Sequence, residues 1–433
     1  MKKLSSEEIQ RKNEEAARRA ELNCLAPISF QELEKIVNQW MLVVDQGIIK
    51  LLPALIIANK LHGRDPVWLF LIGPSGGGKT EFLSCLFDLQ EVWTISLLTA
   101  QTFLSGMPGE GDMSLLPKIN NKVLIFKDWT NILSQNKDAR NEIMGQLREI
   151  YDGQMKKPFG NGKIAEWKGK IGLIAGTTPA IDIAQQMHTT LGERFIHYRL
   201  KTPGRKETAQ RALSNSENAE FMRTSLRNAF YAFFKGVEIP AEIPKVSDEV
   251  QTEIIKVANF TTMARSGVIR EFTFKKEIMF VPSIEMPTRI VQQLNSLAVS
   301  FIIVNKGEFI PEDMKIIYKI ALDSIPQTNR MVIMEMARSN ERTTTEIATS
   351  LGYPTGPIRL YLENLAMLGV CRRIKGRESE EGGTADKWIM EPEFVEIIRT
   401  YEGVKAEESV LEIEDIPVNG EEEIQAQNLG LGE

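Results

Sequence analysis

The stretch Pro66–Phe82, PVWLFLIGPSGGGKTEF, constrains the fold more than any other part of the chain. Val67 to Ile72 is an unbroken apolar run of strand length, the pattern of a strand buried on both faces of a parallel sheet, and Gly73 ends it. Gly73, Gly78, Lys79 and Thr80 fill a GxxxxGK[ST] pattern, with Pro74, Ser75, Gly76 and Gly77 between and Glu81 next. Small residues at these positions let backbone N–H groups curl round phosphate oxygens, while Lys79 reaches the outer phosphates and the Thr80 hydroxyl ligates Mg²⁺. A helix opening near Lys79 aims its N-terminus at the same anion. The pattern therefore predicts a nucleoside triphosphate with Mg²⁺ as ligands.

The rest of the chain supplies elements for such a sheet. Residues 1 to 22 read as one polar, charge-alternating helix, a solvated arm or oligomer contact. Ser29, with Glu32 three residues on, caps a helix over Phe30–Val44, and a second over Gly47–Leu61 feeds the first strand. Val92–Leu98 reads as a strand and Ser105–Asp112 as a loop. The run from Asn121 ends in a carboxylate, Asp128, 49 residues after Lys79, which makes Asp128 the second candidate for the Mg²⁺ water shell. A helix over Asn141–Tyr151 precedes Gly160-Asn161-Gly162, a hairpin signal. Lys156, Lys157, Lys163, Lys168 and Lys170 make this the most basic patch of the region, read either as a nucleic-acid contact or as a solvated hairpin. Ile171–Ala175 is another buried strand, with Thr177 and Thr178 at the C-terminal end where open α/β sheets gather ligands. Leu191-Gly-Glu-Arg194-Phe195 precedes a last strand, Ile196–Leu200. Strands and helices in alternation predict an α/β class, a doubly wound parallel sheet.

These motifs occur in the order of AAA+ ATPases, which residues 40 to 322 resemble. Glu285-Met-Pro-Thr-Arg289 and the helix after it, then Pro311-Glu-Asp-Met and a last helix, look like the helical lid of minichromosome-maintenance helicases, and the whole is similar to phage- and plasmid-type AAA+ proteins. The resemblance implies ATP as the nucleotide and a homo-oligomeric, hexameric ring. It implies that Asp128 is the Walker B carboxylate and that Thr178, or its neighbour Thr177, orients the attacking water or the γ-phosphate. It implies Arg194 as an arginine finger reaching the next subunit's site and Arg289 as sensor 2. Phosphoryl transfer spreads negative charge over oxygens, so a cation supplied by a partner makes hydrolysis depend on assembly. One departure matters: the family's Walker B ends Asp-Glu, whereas Trp129 follows Asp128. Glu149 and Glu81 stand as alternatives for the water-polarising role, and slow, switch-like turnover is an open reading.

Residues 327 to 391 change character. Helices over Asn329–Arg338, Thr343–Gly352 and Pro357–Leu368, then two strands around Glu378–Thr384, resemble a winged-helix domain. Arg359 and Tyr361 are then candidates for groove contacts, and Arg372, Arg373, Lys375 and Arg377 for DNA backbone contacts. Winged helices also serve as protein adaptors, and Glu378, Glu380 and Glu381 set acid at the wing tip. The expected division is 1–60 helical, 61–205 nucleotide-binding, 206–324 lid, 325–400 winged helix and 401–433 an acidic, disordered tail. That tail is a potential protein-binding segment.

At 433 residues, 42% hydrophobic and 25% charged, the composition is that of a globular protein of several domains. Residues 402 to 433 carry a net charge of −9 out of −6 for the whole, which leaves the body at +3, a balance that permits nucleic-acid binding. Cys24, Cys85 and Cys371 are scattered without CxxC spacing, so a reducing, cytoplasmic setting is expected. The N-terminus lacks an apolar core, and Ile48–Leu61 is short and carries Lys50, Pro53 and Lys60, so no membrane insertion is expected. Three readings follow: an ATP-hydrolysing ring acting on DNA, helicase-like or initiator-like, with the hairpin lining a pore; a slow ATP-dependent assembly switch; and a protein-remodelling or defence ATPase.

Overall fold

The computed structural model describes residues 6–104, 114–160, 162, 164–183, 193–271, 276–281, 283–339, 341–376 and 385–402. Three helices come first: α1 (Ser6–Cys24), α2 (Phe30–Trp40) and α3 (Gly47–Lys60). Ser29 and Glu32 form both bonds of a capping box at α2. The helix stops at Trp40, four residues short of the expected end, and Met41–Gln46 connects it to α3. Nearly every residue of α3 is buried, as in a helix apolar all round. Its one buried ammonium, Lys50, pairs with Asp313. Instead of standing free, α1 docks through Arg18, which donates to Asp88 at 2.6 Å and to Asn228 at 2.7 Å.

Next come β1 (Trp68–Ile72), α4 (Lys79–Ser84), β2 (Val92–Ile95), β3 (Val123–Phe126), α5 (Thr130–Leu133) and α6 (Lys137–Tyr151). The predicted hairpin follows as β4 (Gln154–Pro158) and β5 (Ile164–Lys168), an antiparallel pair, and then β6 (Gly172–Thr177) and β7 (Phe195–Arg199). Five strands form one parallel sheet in the order β2-β3-β6-β1-β7. The mixed α/β class with a parallel sheet is thus as expected.

Alternation along the strands builds two cores. Leu69, Leu71, Ile125, Ile174 and Ile196 face α3, while Trp68, Phe70, Leu124, Phe126 and Phe195 face α6 and the hairpin's Met155 and Trp167. Both faces are dry, which is why the strands read as unbroken apolar runs. Phe70 stacks on Phe195 with ring centroids 3.9 Å apart. The edge strand β7 is shielded: the His197 N–H donates to Ser324 Oγ at 2.9 Å and the Arg199 N–H to Asp323 Oδ2 at 2.8 Å, so side chains take the place of a sixth strand.

The remaining elements are mostly helical: α7 (Arg205–Asn215), α8 (Ala219–Lys235), α9 (Asp248–Arg265), a ribbon of β8 (Ile269–Arg270) and β9 (Ile278–Phe280), α10 (Thr288–Val304) and α11 (Pro311–Asp323). α10 packs on α3, and α11 covers β7. The C-terminal unit holds α12 (Gln327–Met336), β10 (Arg342–Thr343), α13 (Thr344–Leu351), α14 (Thr355–Met367), β11 (Cys371–Ile374), β12 (Lys387–Met390) and α15 (Pro392–Glu402). Its three strands pair antiparallel in the order β10-β12-β11. The three expected helices and two strands are present. β10 and α15 are additions, and α15 packs back on α9 and α11. Thr343 caps α13 with Glu346, and Gly352 ends it at φ +67°. Among the described residues no helix is long and apolar enough to cross a membrane.

Candidate functional site

Between β1 and α4 the backbone turns through two left-handed glycines, Gly76 at φ +75° and Gly78 at φ +81°. A Cβ on Gly77 would come within 3.1 Å of the Pro74 carbonyl oxygen, so the turn is closed to larger residues there. Gly73 is tied to the neighbouring strand, its N–H donating to the Thr177 carbonyl at 3.2 Å. Lys79 folds over the turn and donates to the carbonyls of Gly73 at 2.7 Å and Pro74 at 2.6 Å. Burial lowers its pKa, and the Asp128 carboxylate opposes that shift. Thr80 is exposed at the opening of α4. The residues fit a phosphate chain and a divalent cation: a glycine cradle, an ammonium, a hydroxyl and a carboxylate.

A cleft of about 750 Å³ opens beside the turn. Its far walls are the Trp40–Asp45 segment, Leu200–Pro203, one side of α7, and Met222 and Arg223 of α8. Its size and largely apolar walls suit a small organic ligand extending from the glycine turn. Nothing in local sequence pattern links Trp40–Asp45 or α7 to the turn, because the chain returns to it only through tertiary packing.

Asp128 follows β3 at the C-terminal edge of the sheet and accepts the Thr130 N–H at 2.9 Å. Trp129 points the other way. Its side chain is 1% exposed, set among Phe70, Phe126 and Phe195, and its backbone N–H donates to the Gly176 carbonyl at 2.8 Å. The Trp129 side chain therefore belongs to the core and not to the glycine-turn site. Of the two alternatives, Glu81 is held by Arg223 through contacts of 2.6 and 3.0 Å, and Glu149 is an exposed residue of α6. Thr177 is fully buried at the end of β6, and Thr178 next to it is half-buried on the same edge.

Arg194 and Arg289 lie elsewhere. Arg194 directly precedes β7, whose first residue pairs with the first residue of β1, so it stands at the N-terminal edge, roughly 15 Å along the strand from the glycine turn. Its side chain, 10% exposed, pairs with Asp152 at 3.2 Å and lies over the Tyr151 ring. Arg289 opens α10 and pairs with Glu285 at 3.2 Å. One turn on, Gln293 donates to the Tyr151 hydroxyl at 3.0 Å and the Arg194 carbonyl at 2.7 Å. The two arginines therefore share the edge opposite the cleft, and neither reaches its own chain's glycine turn. Arg265, 3% exposed, joins them through Glu285 at 2.7 Å.

The proposed nucleic-acid contacts are largely paired with carboxylates. Lys156 pairs across the hairpin with Glu166, and Lys157 turns inward to the Ala100 carbonyl at 2.8 Å. Lys170 caps the end of α3 through the Leu61 carbonyl at 3.0 Å, and burial pushes its pKa down to about 8. Lys163 and the tip residue Asn161 lie outside the described residues, as do Arg377, the wing-tip glutamates, Leu191-Gly192 and the tail beyond residue 402. In the C-terminal unit Arg359 pairs with Glu363 at 2.9 Å, Arg372 with Glu391 at 2.8 Å, and Arg373 with Asp386. Lys375 is exposed beyond β11 and Tyr361 is half-buried on α14. The inner side of α14 is held by Arg270 of the ribbon, which donates to Asn364 at 2.8 Å and Glu363 at 3.0 Å.

Compared with protein-family models and with curated proteins, the chain matches none.

Proposed function

We propose that the chain is an AAA+ type P-loop ATPase that binds Mg²⁺ and ATP in the cleft beside Gly73–Thr80, works as a ring of copies, and acts on DNA. The observation that carries the reading is the glycine turn itself, with left-handed Gly76 and Gly78 and with Lys79 folded onto the Gly73 and Pro74 carbonyls. In this reading the phosphates replace the Gly73 and Pro74 carbonyls as partners of Lys79. Thr80 and Asp128 hold the cation, and the base and sugar occupy the cleft bounded by Trp40–Asp45 and α7. In the ring reading Arg194 and Arg289, clustered on the edge opposite the cleft, serve another copy's phosphates and not their own chain's. Arg194 must leave Asp152 to do so. DNA contact falls to the C-terminal unit, read as a winged helix, and to the β4–β5 hairpin. Its arginines must exchange carboxylates for phosphates, so binding should be weak and steeply salt-dependent.

A second reading, a slow assembly switch, is favoured by one observation: the residue after Asp128 is Trp129, locked in the core, and the nearby Glu81 is held by Arg223. ATP turnover with and without single- and double-stranded DNA, for wild type, Lys79→Ala and Arg194→Ala, separates the two. The ring reading expects DNA-stimulated turnover lost in both variants, with ATP binding kept in Arg194→Ala. Negligible turnover throughout, with ATP still bound and the oligomeric state changed by it, identifies the switch. Stimulation by protein and not by DNA would favour a remodelling ATPase.

A further inference from the structure

Arg223 lines the cleft next to the start of α4. It projects from the second turn of α8, which packs on α4, and with Gly78 and Glu81 it bounds the cleft beside the turn. Its guanidinium takes both oxygens of the Glu81 carboxylate, Nη2 to Oε1 at 2.6 Å and Nε to Oε2 at 3.0 Å. Half of the side chain remains exposed, which leaves the guanidinium room to change partners. Of the other cations that line or border the cleft, Lys79 crosses the loop to Gly73 and Pro74 and Arg211 donates to the Asn38 carbonyl at 3.4 Å, while Lys201 and Arg205 stand on the wall that leads into α7. Arg194 and Arg289 stand at the far edge of the sheet.

We infer that Arg223 is a phosphate-binding residue of this cleft, exchanging Glu81 for the outermost phosphate of a bound nucleoside triphosphate. This rests on the nucleotide reading above. The guanidinium fork that grips a carboxylate fits phosphate oxygens equally well, and a terminal phosphate carries more charge than Glu81 offers. Glu81 and the phosphate thus compete for one cation. A diphosphate, lacking the outermost group, leaves Arg223 on Glu81. Arg223 thereby distinguishes triphosphate from diphosphate, and Glu81 holds triphosphate affinity down.

The test is equilibrium binding of a fluorescent non-hydrolysable ATP analogue and of the matching ADP, with Mg²⁺, to the full chain and to Arg223→Ala, Arg223→Lys, Glu81→Gln and Lys79→Ala. Arg223→Ala should weaken triphosphate binding about tenfold or more and leave diphosphate binding nearly unchanged. Arg223→Lys should recover part of the loss. Glu81→Gln should act in the opposite direction and tighten triphosphate binding. If the pair is only a brace between α4 and α8, both single variants lower the melting temperature alike and leave the triphosphate-to-diphosphate ratio unchanged, which overturns the assignment. If Arg223→Ala does not fold, Glu81→Gln decides alone: unchanged or weaker triphosphate binding contradicts the competition. A folded wild type that binds neither nucleotide, or Lys79→Ala binding as well as wild type, removes the nucleotide reading and this inference with it.

Discussion

Trp129 shows how one residue's surroundings limit what its neighbour can do. Asp128 is exposed and accepts the Thr130 N–H, whereas Trp129 is packed into the core, so no second side chain accompanies the aspartate at the end of β3. His197 is the other isolated case. Its ring is fully buried beside Phe70, neither ring nitrogen has a hydrogen-bond partner among the described residues, and burial with Arg199 and Arg265 nearby holds its pKa well below the ordinary value. The folded chain keeps this imidazole neutral, whereas the unfolded chain protonates it near pH 6.5. Below that pH the unfolded state binds one more proton, so His197 makes stability fall with decreasing pH by about 1.4 kcal/mol per unit. Urea unfolding at pH 7.5, 6.5 and 5.5 should show that slope reduced in His197→Phe. Parallel curves for the two proteins would contradict it.

At the scale of elements, α3 is pinned between the sheet and α10–α11 by its apolar surface and by one buried ion pair, Lys50 with Asp313. Asp313 also accepts the Asn305 side-chain amide at 2.7 Å and the Ile310 N–H at 3.1 Å, so the carboxylate ties α3 to the turn that starts α11. Lys50→Met leaves that charge buried without its cation and should cost about 3–5 kcal/mol in chemical denaturation. The double change Lys50→Met with Asp313→Leu should recover much of the loss. Equal destabilisation by the single and double variants would show that the pair is not what holds these helices in register.

Elements of this kind were the legible part of the chain. The buried strands, the capping boxes at Ser29 and Thr343 and the Gly160–Gly162 hairpin are local signals, set by periodicity, cap chemistry and turn residues. So was the glycine turn with Asp128. The cleft wall was not, because Trp40–Val44 read as the end of a helix and α7 fell unremarked within the expected lid; only folding brings both to the turn. Nor was the partner of Glu81, since Arg223 lies 142 residues away. The lysines of the hairpin looked like a free patch, yet Lys156 and Lys157 find partners across the strand pair and at Ala100, contacts set by register and packing.

For the whole molecule, the hydrophobic core on the α3 side of the sheet runs without a break through α10 and α11 into the C-terminal unit. The junction is also strongly polar. Asp323, fully buried at the end of α11, meets Lys319 at 2.8 Å and Arg330 of α12 at 3.3 Å, and it accepts the Arg199 N–H. Lys319 reaches Asp45 at 3.4 Å, and Asp45 lines the cleft. Cleft, sheet edge and C-terminal unit are therefore parts of one packed body, so a ligand in the cleft has a contiguous set of contacts leading to α12. All of this depends on the cleft being a nucleotide site. Calorimetric titration of Mg²⁺ and ATP into the full chain and into Lys79→Ala, with melting curves on both, tests that claim directly. The account predicts saturable binding to the wild type, lost by about a hundredfold or more in an equally folded Lys79→Ala, since the ammonium and its charge-assisted phosphate contacts go together. No binding to the wild type, or equal binding to both proteins, would contradict it.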